Sequence, residues 1–197
     1  EFINVNCGIM DQYIIATAKK NTAELIDCAK IEHEYVPLKL GDYRFIVMNS
    51  KKQRKLSDSK YNERRAQCEE GLTILQDAGY DFPNLCAITP ELFDEAGPLI
   101  KDDEIYRRVR HCVTEMDRVL KAVDALKANN LAELGTLLYA SHASLRDDYE
   151  VTGIELDTLV DEASKQHGCI GARMTGAGFG GCAIAIVHKD SIDSFIK

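Results

Sequence analysis

Near the C-terminal end of the chain, five glycines fall within eleven residues, in the stretch Gly171-Ala-Arg-Met-Thr-Gly-Ala-Gly-Phe-Gly-Gly181. Gly176, Gly178 and Gly181 have the G-x-G-x-x-G spacing of a turn that binds a dinucleotide pyrophosphate at a helix N-terminus. That motif requires a helix after the turn, whereas the residues that follow here alternate like a strand. No Gly-Lys-Ser/Thr follows, so a P-loop is excluded too. The stretch is therefore either a turn that only joins two strands or a turn whose amides approach an anionic ligand.

Two further side chains have positions that could serve chemistry. Asp11 follows two bulky apolar residues, so its carboxylate either caps the start of a helix or is partly desolvated and placed for proton transfer. Tyr61 falls in the first turn of a predicted helix, where it is either a surface aromatic or a hydroxyl offered to a polar ligand. His142 and the pair Asp147-Asp148 have no Cys or His partners at metal-ligand spacing, so the sequence predicts no metal site there.

The elements around these residues change from strands to helices along the chain. Alternating apolar residues predict three strands at residues 23–28, 34–38 and 43–48. Helical periodicity and end signals then predict helices at residues 57–79, 103–129, 131–149 and 153–167, and a short one from residue 191. Two strands, at residues 169–175 and 182–188, flank the glycine turn. The order predicts an α+β fold with a domain boundary between residues 50 and 57, where strands give way to helices.

Composition excludes several classes of partner. The chain has 24 Lys and Arg against 32 Asp and Glu, which disfavours nucleic acid and anionic membranes because both require a basic face. No apolar run reaches the roughly 18 residues of a membrane span. The seven cysteines are an odd number with no C-x-x-C spacing, which indicates reduced thiols and a cytoplasmic location.

Separate stretches of the chain together resemble the galactokinase family of the GHMP small-molecule kinase superfamily. They are Cys7-Gly-Ile-Met-Asp-Gln12, Ser59-Lys-Tyr-Asn-Glu-Arg-Arg-Ala-Gln-Cys-Glu-Glu70, Ser141-His-Ala-Ser-Leu-Arg-Asp-Asp-Tyr149 and the glycine stretch extended to Cys182. The chain departs from the family at Thr152-Gly153, where Cys-Pro is frequent. The family's N-terminal sugar signature and its Gly-Leu-Ser-Ser-Ser nucleotide loop are not in this sequence, so the likeness is to the C-terminal half of a galactokinase.

The resemblance implies a division of the chain and an activity. Residues 51–197 are expected to be the GHMP kinase C-terminal domain, a ferredoxin-like α/β sandwich, and residues 1–50 the remnant of the N-terminal domain. The implied reaction transfers the γ-phosphoryl group of Mg-ATP to the anomeric hydroxyl of α-D-galactose. The remaining N-terminal half of the same protein is the expected partner, without which we expect these 197 residues to be inactive.

The resemblance also implies roles for particular residues. Asp11 matches the catalytic aspartate, which either accepts the C1 hydroxyl proton or orients that hydroxyl. Gly8 and Tyr61 match positions that contact the sugar, and Gly176 and Gly178 belong to the turn beside the nucleotide phosphates. The magnesium ligands are expected upstream of Glu1. Two other functions stay open, namely a galactose- and ATP-binding regulator without kinase activity, and a free-standing ferredoxin-like binding domain.

Overall fold

The computed structural model describes residues 8–52 and 57–197, with the backbone alone for residues 57–59. The short apolar alternation before Gly8, most of the basic run at residues 51–55, and the side chains expected to cap the helix near residue 57 lie outside the described part. The strands are β1 (Thr22–Asp27), β2 (Glu32–Pro37), β3 (Tyr43–Asn49), β4 (Cys169–Thr175) and β5 (Cys182–His188). The helices are α1 (Met10–Thr17), α2 (Ser57–Asp77), α3 (Pro90–Ala96), α4 (Asp103–Lys127), α5 (Leu131–Asp147), α6 (Ile154–Lys165) and α7 (Ile192–Phe195).

A three-stranded antiparallel sheet in the order β3-β5-β4 supports the glycine turn. In β3, Ile46 and Met48 pack into the core, whereas Phe45 and Val47 face solvent on the other side of the strand. This alternation is the period of two that the sequence shows. The predicted domain boundary at residue 50 stays a prediction, and it separates β3 from β5, the strand with which β3 pairs.

Helices α5 and α6 cover the inner face of this sheet. Leu156 and Val160 of α6 and Leu145 of α5 are buried against alanines and Met174 of the strands. The absence of a side chain at Gly135 lets α5 approach β4 very closely, since a Cβ on Gly135 would lie 2.0 Å from the carbonyl oxygen of Ile170. The close helix-to-strand contact therefore depends on a bare backbone at Gly135.

A second core lies among the helices α2, α3 and α4. Leu75 of α2 and Phe93 of α3 are buried there together with Val109 and Val113, which belong to the apolar stripe of α4. Asp102 begins α4 by accepting a hydrogen bond from the amide of Ile105 at 3.0 Å, and the Asn130 side chain caps α5 in the same manner.

The strands β1 and β2 form a separate antiparallel hairpin, in register from Thr22↔Pro37 to Asp27↔Glu32. The hairpin reaches α4 through an ion pair between Lys127 and Glu34 at 2.8 Å. Together these elements confirm the α+β fold. No helix was predicted at α3, which begins at Pro90 with Thr89 as its cap. For α1 the sequence indicated a possible helix start at Asp11, without an end.

Candidate functional site

The glycine turn joins β4 to β5 across the adjacent pair Thr175↔Cys182. Gly176, Gly178, Gly180 and Gly181 all have positive φ, as does Phe179 at 57°. Backbone of this kind is costly for residues with a Cβ. The path of the chain between two neighbouring strands therefore requires glycines here, and both interpretations drawn from the sequence include such a turn.

The turn is fixed by the segment that follows α5. Gly178 has a φ of 81°, and a Cβ on it would lie 2.2 Å from the carbonyl oxygen of Val151. That same oxygen accepts a hydrogen bond from the amide of Phe179 at 2.6 Å. The bare backbone at Gly178 thus permits a close approach to Val151 within the chain itself.

Two lysines flank the turn. The side chain of Lys52 packs beside Gly180, and its ammonium group pairs with Glu155 at 2.7 Å. The ammonium group of Lys60 lies 5.8 Å from the centroid of the Phe179 ring. Neither lysine had a predicted role, although Lys52 belongs to the basic run at residues 51–55, a sequence signal that could have indicated it.

Buried polar side chains hold the strand that leads into the turn. Nδ1 of His142 accepts a hydrogen bond from the amide of Met174 at 3.2 Å, so the proton of a neutral ring is on Nε2, which lies 3.2 Å from the Asp157 carboxylate. Burial lowers the pKa of His142, which favours that neutral ring. On the other side of β4, Arg173 pairs with Glu115 at 3.2 Å.

Tyr61 lies half-buried in the first turns of α2, one turn before the buried Arg64. Nε of Arg64 donates a hydrogen bond to the carbonyl oxygen of Tyr149 at 2.7 Å. Tyr149 is two residues before Val151, which touches the glycine turn. The structure therefore brings the start of α2 and the glycine turn together on the same segment, residues 149–151.

A cluster of arginines and carboxylates on α4 holds residues 148–150 in place. Arg108 is fully buried and donates hydrogen bonds to the Asp148 carbonyl oxygen at 2.6 Å and to the carboxylates of Glu104 and Glu150 at 2.5 and 2.6 Å. Arg107 and Arg108 hold the pKa of Glu150 below its usual value by bonding its ionised form. No local sequence pattern indicates this cluster, because its members are far apart along the chain.

Gly8 and Asp11 lie apart from these groups, at the exposed start of α1. The N-cap of α1 is Ile9, so the expectation that Asp11 might cap the helix is wrong, and Asp11 stands in the first turn instead. The hydroxyl of Tyr13 bonds to His33 at 2.8 Å, which docks α1 on the hairpin. Within the described ranges, no hydrogen bond or ion pair joins Asp11 to Tyr61 or to the glycine turn.

No three His, Cys, Asp or Glu side chains among residues 8–52 and 57–197 come together in a group that could hold a metal ion. In the same ranges, every helix is too short or too polar to cross a membrane.

Comparisons with known proteins agree with one another. Residues 122–197 match the family model of the GHMP kinases C terminal. Over 195 residues the chain is 52% identical to a galactokinase of Halalkalibacterium halodurans and 54% identical to one of Levilactobacillus brevis. Each match covers 99% of this chain and 49% or 50% of the relative. The chain thus spans about half the length of these relatives.

Solved structures give the same result. A crystal structure of Lactococcus lactis galactokinase complexed with galactose superposes with a TM-score of 0.93 and 49% identity, covering 97% of this chain and 49% of that one. A mevalonate kinase of L. major shares the fold at a TM-score of 0.54 and 17% identity, over 89% of this chain and 43% of that one. The C-terminal part of the chain is thus similar to the GHMP kinases, and the relatives that it matches over nearly its whole length are galactokinases.

Proposed function

We propose that this chain is part of a galactokinase, which transfers the γ-phosphoryl group of ATP to the C1 hydroxyl of α-D-galactose. The observation that carries the proposal is the identity of about half of all residues to galactokinases along almost the entire chain. That similarity includes the segments around Asp11, Tyr61 and the glycine turn. The relatives are named as the enzyme, which supports a kinase and not the regulator that the sequence left open.

Asp11 is the residue to which we assign the chemistry. Its carboxylate is exposed at the start of α1 and can accept the proton of the sugar's C1 hydroxyl, or orient that hydroxyl toward the phosphorus atom. Phosphoryl transfer depends mainly on positioning and charge stabilisation, so one carboxylate is enough to accept the proton of the attacking sugar hydroxyl or to orient that hydroxyl.

We assign the sugar contacts to Gly8 and Tyr61. Apart from its chain neighbours, no atom of the described residues lies within 4 Å of a Cβ placed on Gly8, so on that side its backbone is open to a ligand. Tyr61 presents a phenolic hydroxyl at the start of α2, and the buried Arg64 one turn later fixes that end of the helix. A side chain next to such a buried contact is suited to holding a hydroxyl in one place for a sugar.

The glycine turn is our assignment for the nucleotide phosphates, through Gly176 and Gly178. Lys60 adds positive charge beside the turn, which a polyphosphate would require, whereas the charge of Lys52 is already balanced by Glu155. Gly178 acts indirectly, because its close contact is with Val151 and it therefore sets the shape of the turn.

Kinases of this family are expected to use ATP with Mg²⁺, and the described residues around the turn do not fit a magnesium site. The carboxylate next to the turn, Glu155, is already paired with Lys52, and magnesium prefers carboxylates and water arranged as an octahedron. We propose that the magnesium ligands belong to the other half of the full-length protein, which is also the partner of this chain. We further propose that the enzyme acts in the cytoplasm, in keeping with its reduced cysteines.

The test is to identify the product made by the full-length protein from galactose and Mg-ATP. Phosphorylation at C1 removes the reducing end of the sugar, so the product should carry a phosphorus signal coupled to the anomeric proton and should not reduce alkaline copper. Galactose blocked at C1 as its methyl glycoside is the matched control and should give no product. A sugar phosphate that still has its reducing end, or binding of galactose without any turnover, would contradict the proposal.

A further inference from the structure

Two cysteines on neighbouring helices face each other in the helical core. The Sγ atoms of Cys68 on α2 and Cys112 on α4 lie 3.6 Å apart, and both thiols are free and half-buried. A disulfide has a sulfur–sulfur bond of about 2.05 Å, so the two atoms need to approach by roughly 1.5 Å more. Side-chain rotation of two unbranched residues supplies a movement of that size.

The helices are already close at this level for an independent reason. Gly71, one turn after Cys68, faces Val109, one turn before Cys112, and a Cβ on Gly71 would lie 2.3 Å from a methyl carbon of Val109. The opposite direction of these two steps shows that α2 and α4 run antiparallel here. The missing side chain at Gly71 thus brings the two backbones together beside the cysteine pair.

The surroundings make the two thiols unequal. A hydrogen bond from Cys112 lowers the pKa of Cys68, and the hydroxyl of Tyr149 at 3.9 Å and the guanidinium groups of Arg64 and Arg108 act in the same direction. The pKa of Cys112 is raised well above its usual value by the interaction with Cys68 and by burial. Cys68 is therefore the thiol that ionises first, and the thiolate is the reactive form.

We propose that Cys68 and Cys112 form a redox site, which a peroxide oxidises to an intramolecular disulfide between α2 and α4. The Cys68 thiolate attacks one oxygen of hydrogen peroxide and the O–O bond breaks, which leaves a sulfenic acid on Cys68. The departing hydroxide takes up the proton that the Cys68 thiol released on ionising and becomes water. The Cys112 sulfur then attacks the Cys68 sulfur, the S–O bond breaks, and a second water leaves with the Cys112 proton. In sum, two thiols and one peroxide give one disulfide and two waters.

The other described cysteines lack this arrangement. Cys28 and Cys86 are exposed and line a cavity of about 720 Å³ between the hairpin turn and residues 84–87. Burial raises the pKa of Cys86, which disfavours its reactive form. They provide a matched control, since they are thiols on one cavity without a described sulfur–sulfur contact. The proposed site is independent of the sugar kinase activity, because it needs only the packing of α2 against α4.

The experiment treats the full-length protein with hydrogen peroxide under native conditions, blocks remaining thiols, and maps cysteine peptides by mass spectrometry. We expect a peptide pair joined through Cys68 and Cys112, with the loss of two hydrogens, which dithiothreitol restores. Cys112→Ser should lose the joined pair and instead accumulate a sulfenic acid on Cys68, which a dimedone probe captures. Cys68→Ser should lose both products.

Cys28→Ser and Cys86→Ser should leave the Cys68–Cys112 product unchanged. Circular dichroism of each variant confirms that it is folded before its reaction is compared. A disulfide that joins Cys28 to Cys86 in preference, or equal oxidation of all thiols without a joined Cys68–Cys112 pair, would overturn the proposal. So would dimedone capture at Cys112 in place of Cys68.

Discussion

Adding one methyl group at Gly178 tests how the glycine turn is built. Gly178→Ala places a Cβ at a φ of 81° and 2.2 Å from the Val151 carbonyl oxygen. Val151 or the turn must then move, and the hydrogen bond from the Phe179 amide to the same oxygen is lost or lengthened. Gly79→Ala is the matched control, because Gly79 has a φ of 99° but nothing within 4 Å of its Cβ position.

The structure gives different magnitudes for the two variants. The positive φ alone costs an alanine about 1–2 kcal/mol, and Gly79→Ala should lose that amount. Gly178→Ala adds overpacking of about 1–3 kcal/mol and the loss of a hydrogen bond worth about 0.5–1.5 kcal/mol, for a total of about 2.5–6.5 kcal/mol. The difference between the variants therefore isolates the contact with Val151 from the backbone strain.

The assay is urea unfolding of the full-length protein and both variants, together with KM for ATP. We expect Gly178→Ala to be clearly less stable than Gly79→Ala and to have a raised KM for ATP, with Gly79→Ala unchanged in KM. Equal losses of stability in the two variants would refute the close approach to Val151. An unchanged KM for ATP in a destabilised Gly178→Ala variant would show that the turn is only a connector.

Three further predictions follow from other parts of the chain. Tyr61→Phe removes one hydroxyl from the proposed sugar contact, worth about 0.5–1.5 kcal/mol, so calorimetry should show galactose affinity reduced several-fold; unaltered affinity returns Tyr61 to a surface role. Burial lowers the pKa of the His111 imidazole from 6.5 to about 4. As the pH falls below 6.5, His111 is therefore protonated in the unfolded chain but stays neutral in the folded one, and the free energy of unfolding should drop by about 2 kcal/mol between pH 7 and 5. His111→Gln should remove that part of the pH dependence, and an identical slope in urea unfolding contradicts the assignment. The 197 residues alone should form no ADP with galactose, because the expected nucleotide loop and magnesium ligands belong to the other half; turnover above that of a mock purification refutes this division.

The regular elements were the part of the fold that the sequence predicted well. Period-two alternation gave all three strands before residue 50 to within two residues at each end, and the apolar stripe around Val109 and Val113 gave α4. Local signals of this kind depend on neighbours in the chain. Strand pairing does not, and the pairing of β3 with β5, some 140 residues away, could not be read from either strand.

The site was predictable only where one stretch of sequence carried it. The glycine stretch predicted an unusual backbone path. The structure adds the reason for a glycine at position 178, because the carbonyl oxygen of Val151 occupies the space that a Cβ would need. Arg64 and Arg108 look like exposed helix residues in the sequence, yet both are buried. Their burial depends on carboxylates and carbonyl groups supplied by residues 148–150, and such long-range compensation leaves no local pattern.

The most direct test of the proposed function is galactose-dependent ADP formation by the full-length protein and by its Asp11→Asn variant. Asn retains the shape of the side chain at the exposed start of α1 but cannot accept a proton, so the fold and the affinity for galactose should be preserved. General-base contributions are typically about 10²–10⁴-fold, and kcat should fall by that factor. A variant with near-normal kcat, or a full-length protein whose ADP formation does not depend on galactose, would contradict the account.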